Sequence, residues 1–156
     1  MKKAALLMMA AMMLGGCAKG DNSMGEPLAD KLYVTIGEET HSVTLEDNVA
    51  THALMAALQT GDITYIAHDY GGFEKVGALG QSFPTDDHRI GTSAGDLVLY
   101  EGDNVCIFYS SHSWSYTRIG KLDNMSADEV RAFVRAGEGD VSITLSIHPS
   151  NTKKQQ

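Results

Sequence analysis

The chain has 156 residues, with 20 acidic against 12 basic side chains and a net charge of −8. That length suits one domain. An acidic chain without a cluster of Lys and Arg excludes nucleic acid as a partner, because phosphate binding needs clustered basic groups.

The chain opens on Lys2 and Lys3, followed by an uninterrupted run of Ala, Leu and Met from Ala4 to Met13, then Leu14-Gly15-Gly16-Cys17. A basic start, an apolar centre and a small-residue end are the zones of a secretory signal, and the run is too short to span a bilayer stably. The Leu-Gly-Gly-Cys end resembles a bacterial lipobox, where a lipid is attached to the thiol and the chain is cut before it. The resemblance implies a signal peptide over 1–16 and acyl chains on Cys17. Each buried methylene contributes about 0.8 kcal/mol of membrane affinity. The plainer alternative is an ordinary signal cut near Gly16 with a chance cysteine. The leader holds two basic residues and no acid, so its removal takes the net charge from −8 to −10. Ala18 after the cysteine resembles outer-membrane sorting in a diderm bacterium. In a monoderm the same anchor would hold the outer face of the cell membrane. Residues 17–30 are rich in Gly, Asn, Ser and Asp and read as a flexible tether. With Cys17 acylated, Cys106 has no partner for a disulfide.

The domain proper spans 31–148. Leu32, Val34 and Ile36 alternate with other residues at the period of a half-buried strand, and Val43 and Leu45 do so again after Gly37-Glu38-Glu39, so the two form a hairpin. Asp47 or Asn48 caps a helix whose apolar stripe is Ala50, Ala53, Leu54, Ala57 and Leu58, and Gly61 is placed to close it. Ile63 to Ala67 is a strand. His68 to Asp96 is turn-rich, and so long a stretch in a compact domain is either functional or holds short strands. Leu97–Tyr100 and Val105–Tyr109 flank the turn Glu101-Gly102-Asp103-Asn104 as a hairpin, with Cys106 a buried small hydrophobe. Thr117 to Leu122 is a further strand. Ser126-Ala127-Asp128-Glu129 is a capping box before a short helix that Gly137 closes. Val141, Ile143, Leu145 and Ile147 alternate as a final strand. Residues 149–156 are a polar tail. About eight short strands and two helices point to a mostly β fold, a closed or nearly closed barrel with helical plugs.

Three runs in order, Gly95-Asp96-Leu97-Val98-Leu99-Tyr100, Val105-Cys106-Ile107-Phe108-Tyr109 and Ser115-Tyr116-Thr117-Arg118-Ile119-Gly120-Lys121, resemble the bacterial cyclophilin-like fold domain of unassigned function. Gly72-Phe73-Glu74-Lys75-Val76-Gly77 and Phe83-Pro84-Thr85 resemble the same family's middle region. The resemblance covers Lys31 to Ile147 and implies a small closed eight-stranded barrel with two helices. It does not bring prolyl isomerase activity. True cyclophilins carry a Phe-His-Arg run and a downstream Gln-Gly-Gly-Asp run, and neither is here. Arg118 sits in a Tyr-Thr-Arg strand near the end of the chain and cannot be equated with the isomerase arginine.

The aromatic and polar peak of the sequence is His112 to Arg118, which holds the single tryptophan. On a strand, Trp114, Tyr116 and Arg118 share one face. Two rings beside a guanidinium make a platform for a planar or sugar-like ligand or a proline-containing peptide. The competing reading packs the rings under a loop and pairs Arg118 with an acid such as Asp96 or Asp123. Tyr70 and Phe73, around Gly71-Gly72, either form a wall of the same pocket or a bland turn, and Glu74-Lys75 is either a surface pair or a ligand-orienting one. Asp86-Asp87-His88 and His68-Asp69 have ligand-type groups without the paired spacing of a metal motif, so no metal or other cofactor is expected. There is no Gly-x-Ser-x-Gly elbow and no phosphate loop, so no catalytic residue is assigned. The expectation is an exported, lipid-anchored envelope protein that binds a small molecule, peptide or envelope protein without catalysis. A divergent prolyl isomerase and a structural accessory of an envelope assembly are the alternatives.

Overall fold

The computed structural model describes residues 31–150; the expected signal, the expected lipidation at Cys17, the expected tether and the last six residues lie outside them. Nine strands and two helices follow in the order β1 (Lys31–Ile36), β2 (Glu39–Leu45), α1 (Val49–Leu58), β3 (Ile63–Tyr70), β4 (Glu74–Ala78), β5 (His88–Thr92), β6 (Asp96–Tyr100), β7 (Asn104–Phe108), β8 (His112–Leu122), α2 (Ala127–Phe133) and β9 (Val141–Ser146). Eight of them form a ring in the order β2-β1-β9-β3-β4-β7-β6-β8, and β8 pairs back onto β2. Every pairing is antiparallel. β5 stands outside the ring and pairs with β8 alone.

Alternation fills the ring. Leu32, Val34 and Ile36 of β1, Leu97 and Leu99 of β6, Val105 and Ile107 of β7 and Ile143 and Leu145 of β9 point into one interior cluster. Both helices plug it. Asn48 caps α1 by accepting the Thr51 N–H at 2.9 Å and donates to the Arg118 carbonyl at 2.6 Å, which ties the helix to β8. Leu54, Met55 and Leu58 then enter the core. Gly61, at φ 156°, lies outside the left-handed helical well, and α1 ends instead on right-handed Gln59. The Ser126–Glu129 capping box opens α2, which buries Val130 and Phe133.

The turn-rich middle contains β4, β5 and the end of β3, and β8 begins at His112, five residues before the strand expected from Thr117. The reason is a division of labour along β8. Residues Thr117 to Leu122 pair with β6 and β2 in the ring, whereas His112 to Tyr116 pair only with β5. This β5–β8 ribbon leaves the ring and folds across its outer wall. Consecutive Leu97 and Val98 of β6 pair with Gly120 and Arg118, so Ile119 is the extra residue of a bulge in β8 that marks where this strand changes course. β6 and β7 are consequently buried on both faces. Val98, Cys106 and Phe108 form a second, outer cluster with Val76 and Tyr116, covered by Ile90, Phe73 and Tyr100.

Candidate functional site

Where the ribbon crosses the outer wall it leaves a cleft of about 330 Å³, lined by His68, Tyr70, Glu74, Val76, Tyr100, Asn104, Trp114 and Tyr116. Strand periodicity explains the set. His68 and Val76 are cross-strand partners on β3 and β4, as are Tyr70 and Glu74, and Tyr100 and Asn104 face each other where the β6–β7 hairpin turns. Trp114 and Tyr116 come from the ribbon half of β8.

Glu74 is the chemically distinctive wall. It is 5 % exposed, and its Oε2 has no hydrogen-bond partner. Burial pushes its pKa up to about 7, partly offset by a hydrogen bond from the Cys106 thiol. The same burial raises Cys106 and Tyr116. Tyr100 is raised by Glu101 beside it. Tyr116 packs edge-on against Phe108, centroids 5.5 Å apart, and against Tyr100 at 5.9 Å. Tyr70 and Trp114 remain 60 % and 51 % exposed, so two large rings stand open to solvent at the cleft.

Of the six residues singled out from sequence, Tyr70, Glu74, Trp114 and Tyr116 line this cleft, and Phe73 and Arg118 do not. Phe73 forms a layer behind it. Gly71 and Gly72, at φ 61° and 73°, turn the chain so that the Phe73 ring lies over Gly71, where a Cβ would sit 2.2 Å from it. The ring stacks on His112 at 4.0 Å and meets Tyr70 edge-on at 5.9 Å. Arg118 shares the outer face of β8 with Trp114 and Tyr116, but its guanidinium is held by buried Asp96 at 3.0 Å and by the Gly91 carbonyl at 3.2 Å. It braces the ribbon root against the ring.

Glu74 and Lys75 are neither a surface pair nor a pair with each other. They occupy opposite faces of β4. Lys75 is fully buried and bonds Asp69, its cross-strand partner, at 3.0 Å, and the Gly139 carbonyl. Asp69 also accepts the Tyr109 hydroxyl and the Gly137 and Gly139 N–H groups, each at 3.0 Å. Burial alone would raise the Asp69 pKa, but these donors outweigh it and bring it down to about 2. Asp69 and Lys75 are thus structural, and Glu74 is left to the cleft.

His68, Val76, Tyr100 and Asn104 were not among the expected site residues. The signal for Tyr100 was present, since Val98 and Tyr100 alternate with Leu97 and Leu99 and both faces of β6 are apolar. Among the described residues no three His, Cys, Asp or Glu side chains gather as metal ligands. Asp86 and His88 form an exposed pair at 3.2 Å.

Comparison with known proteins agrees with this architecture. The model of a family described as the cyclophilin-like family matches residues 34–146. The solution structure of a hypothetical protein from Archaeoglobus fulgidus is similar over 80 % of this chain and 98 % of its own, with a TM-score of 0.54 and 14 % identity, a likeness of fold. No curated protein matches the chain.

Proposed function

This chain belongs to the cyclophilin-like family, and from that premise we propose that it is a lipid-anchored envelope binding module whose outer cleft takes a small ligand, or a side chain of a peptide or partner protein, without turning it over. The observation that carries the reading is the cleft itself: four aromatic rings around one buried carboxyl whose Oε2 has no partner. Its volume lies at the lower end of the range for ligand sites, roughly 300–1,000 Å³, enough for one ring and a short arm. The aromatic walls supply contact area and Glu74 supplies orientation. The lipobox-like leader supports placement outside the cytoplasm, tethered at Cys17. The absent isomerase runs, and an Arg118 already bound to Asp96, support binding over prolyl isomerisation.

The test is a fragment screen by NMR on the ¹⁵N-labelled protein. Shifts clustering on Tyr70, Glu74, Val76, Tyr100 and Trp114 support the reading. Uniform or absent shifts at millimolar fragment would sink it. A coupled proline-isomerisation assay is run beside it: rates at the uncatalysed level agree with the proposal, and acceleration lost in Arg118→Ala replaces it with the isomerase reading.

A further inference from the structure

Resting on that reading of the cleft, we infer that its ligand carries an organic cation, an ammonium group on a small amphipathic body, seated against Glu74 and ringed by Tyr70, Tyr100, Trp114 and Tyr116.

The argument starts from what the cleft lacks. No Lys or Arg side chain lines it. Lys75 points to the opposite face of β4 and is bound to Asp69, and Arg118 is bound to Asp96. The charge-bearing groups at its walls are therefore Glu74 and the exposed imidazole of His68. Glu74 is more than nine-tenths buried, and one carboxyl oxygen is aimed at nothing within the protein. A buried acceptor without a donor is costly, by about 1–3 kcal/mol and more if charged, and a ligand donor relieves that cost. An anionic ligand would meet a desolvated acid and negative ring faces. A neutral hydroxyl would satisfy one lone pair. An ammonium satisfies the oxygen and neutralises the charge, and its positive field is attracted to the faces of Trp and Tyr, with Trp the strongest. The unsatisfied acceptor and the aromatic walls thus select the same chemistry independently.

Binding of such a cation requires the carboxylate, so it is coupled to proton release. The titratable groups facing Glu74 are His68 and Tyr70 on β3, Tyr100 on β6, Cys106 on β7 and Tyr116 on β8. Tyr116 and Cys106 are held neutral by burial, so they stay out of the titration near neutral pH. His68 is the other ionisable side chain besides Glu74 at the cleft wall without an aromatic hydroxyl, and it is therefore varied separately.

The experiment follows Trp114 fluorescence and calorimetric heat in the purified full chain, titrated with 2-phenylethylammonium and with its neutral counterpart 2-phenylethanol. The ammonium is expected to bind about tenfold or more tightly at pH 8, and its affinity to fall about tenfold from pH 8 to pH 6, as Glu74 takes up its proton. Glu74→Gln should remove the preference and the pH dependence while 2-phenylethanol binding persists, and His68→Gln should keep both. Equal binding of the two probes by the wild type overturns the cation inference and leaves the binding module standing. Loss of the pH dependence in His68→Gln, with Glu74→Gln unchanged, overturns the role of Glu74. Binding of neither probe at millimolar concentration, with the fragment screen also blank, overturns both readings.

Discussion

Removing Asp69 should destabilise the domain more than its position on a strand end suggests. In Asp69→Ala the Lys75 ammonium stays fully buried with only the Gly139 carbonyl to hold it, and the Gly137 and Gly139 N–H groups and the Tyr109 hydroxyl lose their acceptor. Stranding one member of a buried ion pair costs about 3–5 kcal/mol. For a domain whose whole stability is of order 5–15 kcal/mol, that is a large fraction. The partner is the control. Lys75→Met keeps the side-chain length and removes the charge, and replacing a buried pair with apolar groups is often close to neutral. The double variant should therefore lose only about 1–2 kcal/mol, for the unpaired amides and hydroxyl, and be more stable than Asp69→Ala alone. Urea denaturation followed by tryptophan fluorescence measures all three. If Asp69→Ala costs under about 1 kcal/mol, or if adding Lys75→Met does not recover stability, the pair is not the buried charge clamp described here.

Four further outcomes are expected. Gly120→Ala should destabilise by about 1–3 kcal/mol in thermal melts, because its Cβ would sit 2.3 Å from the Thr44 carbonyl at the seam where β8 meets β2; a neutral result would mean that the seam is looser than it looks. Asp123 resembles Asp69: burial would raise it, but Lys31, Ser42 and Thr44 donate to it and hold it at about 2. Both folded pKa values lie below the ordinary carboxyl value, so their stabilisation is present above about pH 4 and is lost as pH falls toward 2, about 2 kcal/mol each; acid titration of Asp123→Asn should lack its share of that loss. Glu74 has the opposite sign: its folded pKa is raised to about 7, so stability should decline by about 3 kcal/mol as pH rises from 4.5 past 7, and a Glu74→Gln protein that declines equally would contradict this. Cys17→Ser should leave uncleaved or soluble protein, and membrane fractionation like the wild type would remove the lipid anchor.

Elements governed by local rules were legible in the sequence. The β1–β2 hairpin, the Asn48 cap, the 101–104 turn, the Ser126–Glu129 capping box and β9 each announce themselves within a few residues. β4 and β5 were hidden because their sequences contradict the usual strand pattern. Glu74 and Lys75 read as a surface pair or a ligand-orienting one, and the cross-strand approach of Asp69, with the Gly139 carbonyl, makes burial of Lys75 tolerable. β5, His88–Thr92, carries one large apolar residue, Ile90, and becomes a strand because β8 overruns the ring and offers it an edge. The site was half legible for a related reason. Alternation placed Trp114, Tyr116 and Arg118 on one face, but which of them reaches the cleft depends on Asp96, which β6 brings to Arg118 from elsewhere in the chain.

The outer cluster of Val76, Val98, Cys106, Phe108 and Tyr116 is separated from the interior by the thickness of a single strand layer. Two packing territories with no side chain in common therefore share one backbone. A substitution at Tyr100 or Trp114 changes what the outer territory can hold while every residue that fills the ring keeps its neighbours. Such an arrangement lets the lining of the cleft drift without renegotiating foldability, one register position at a time.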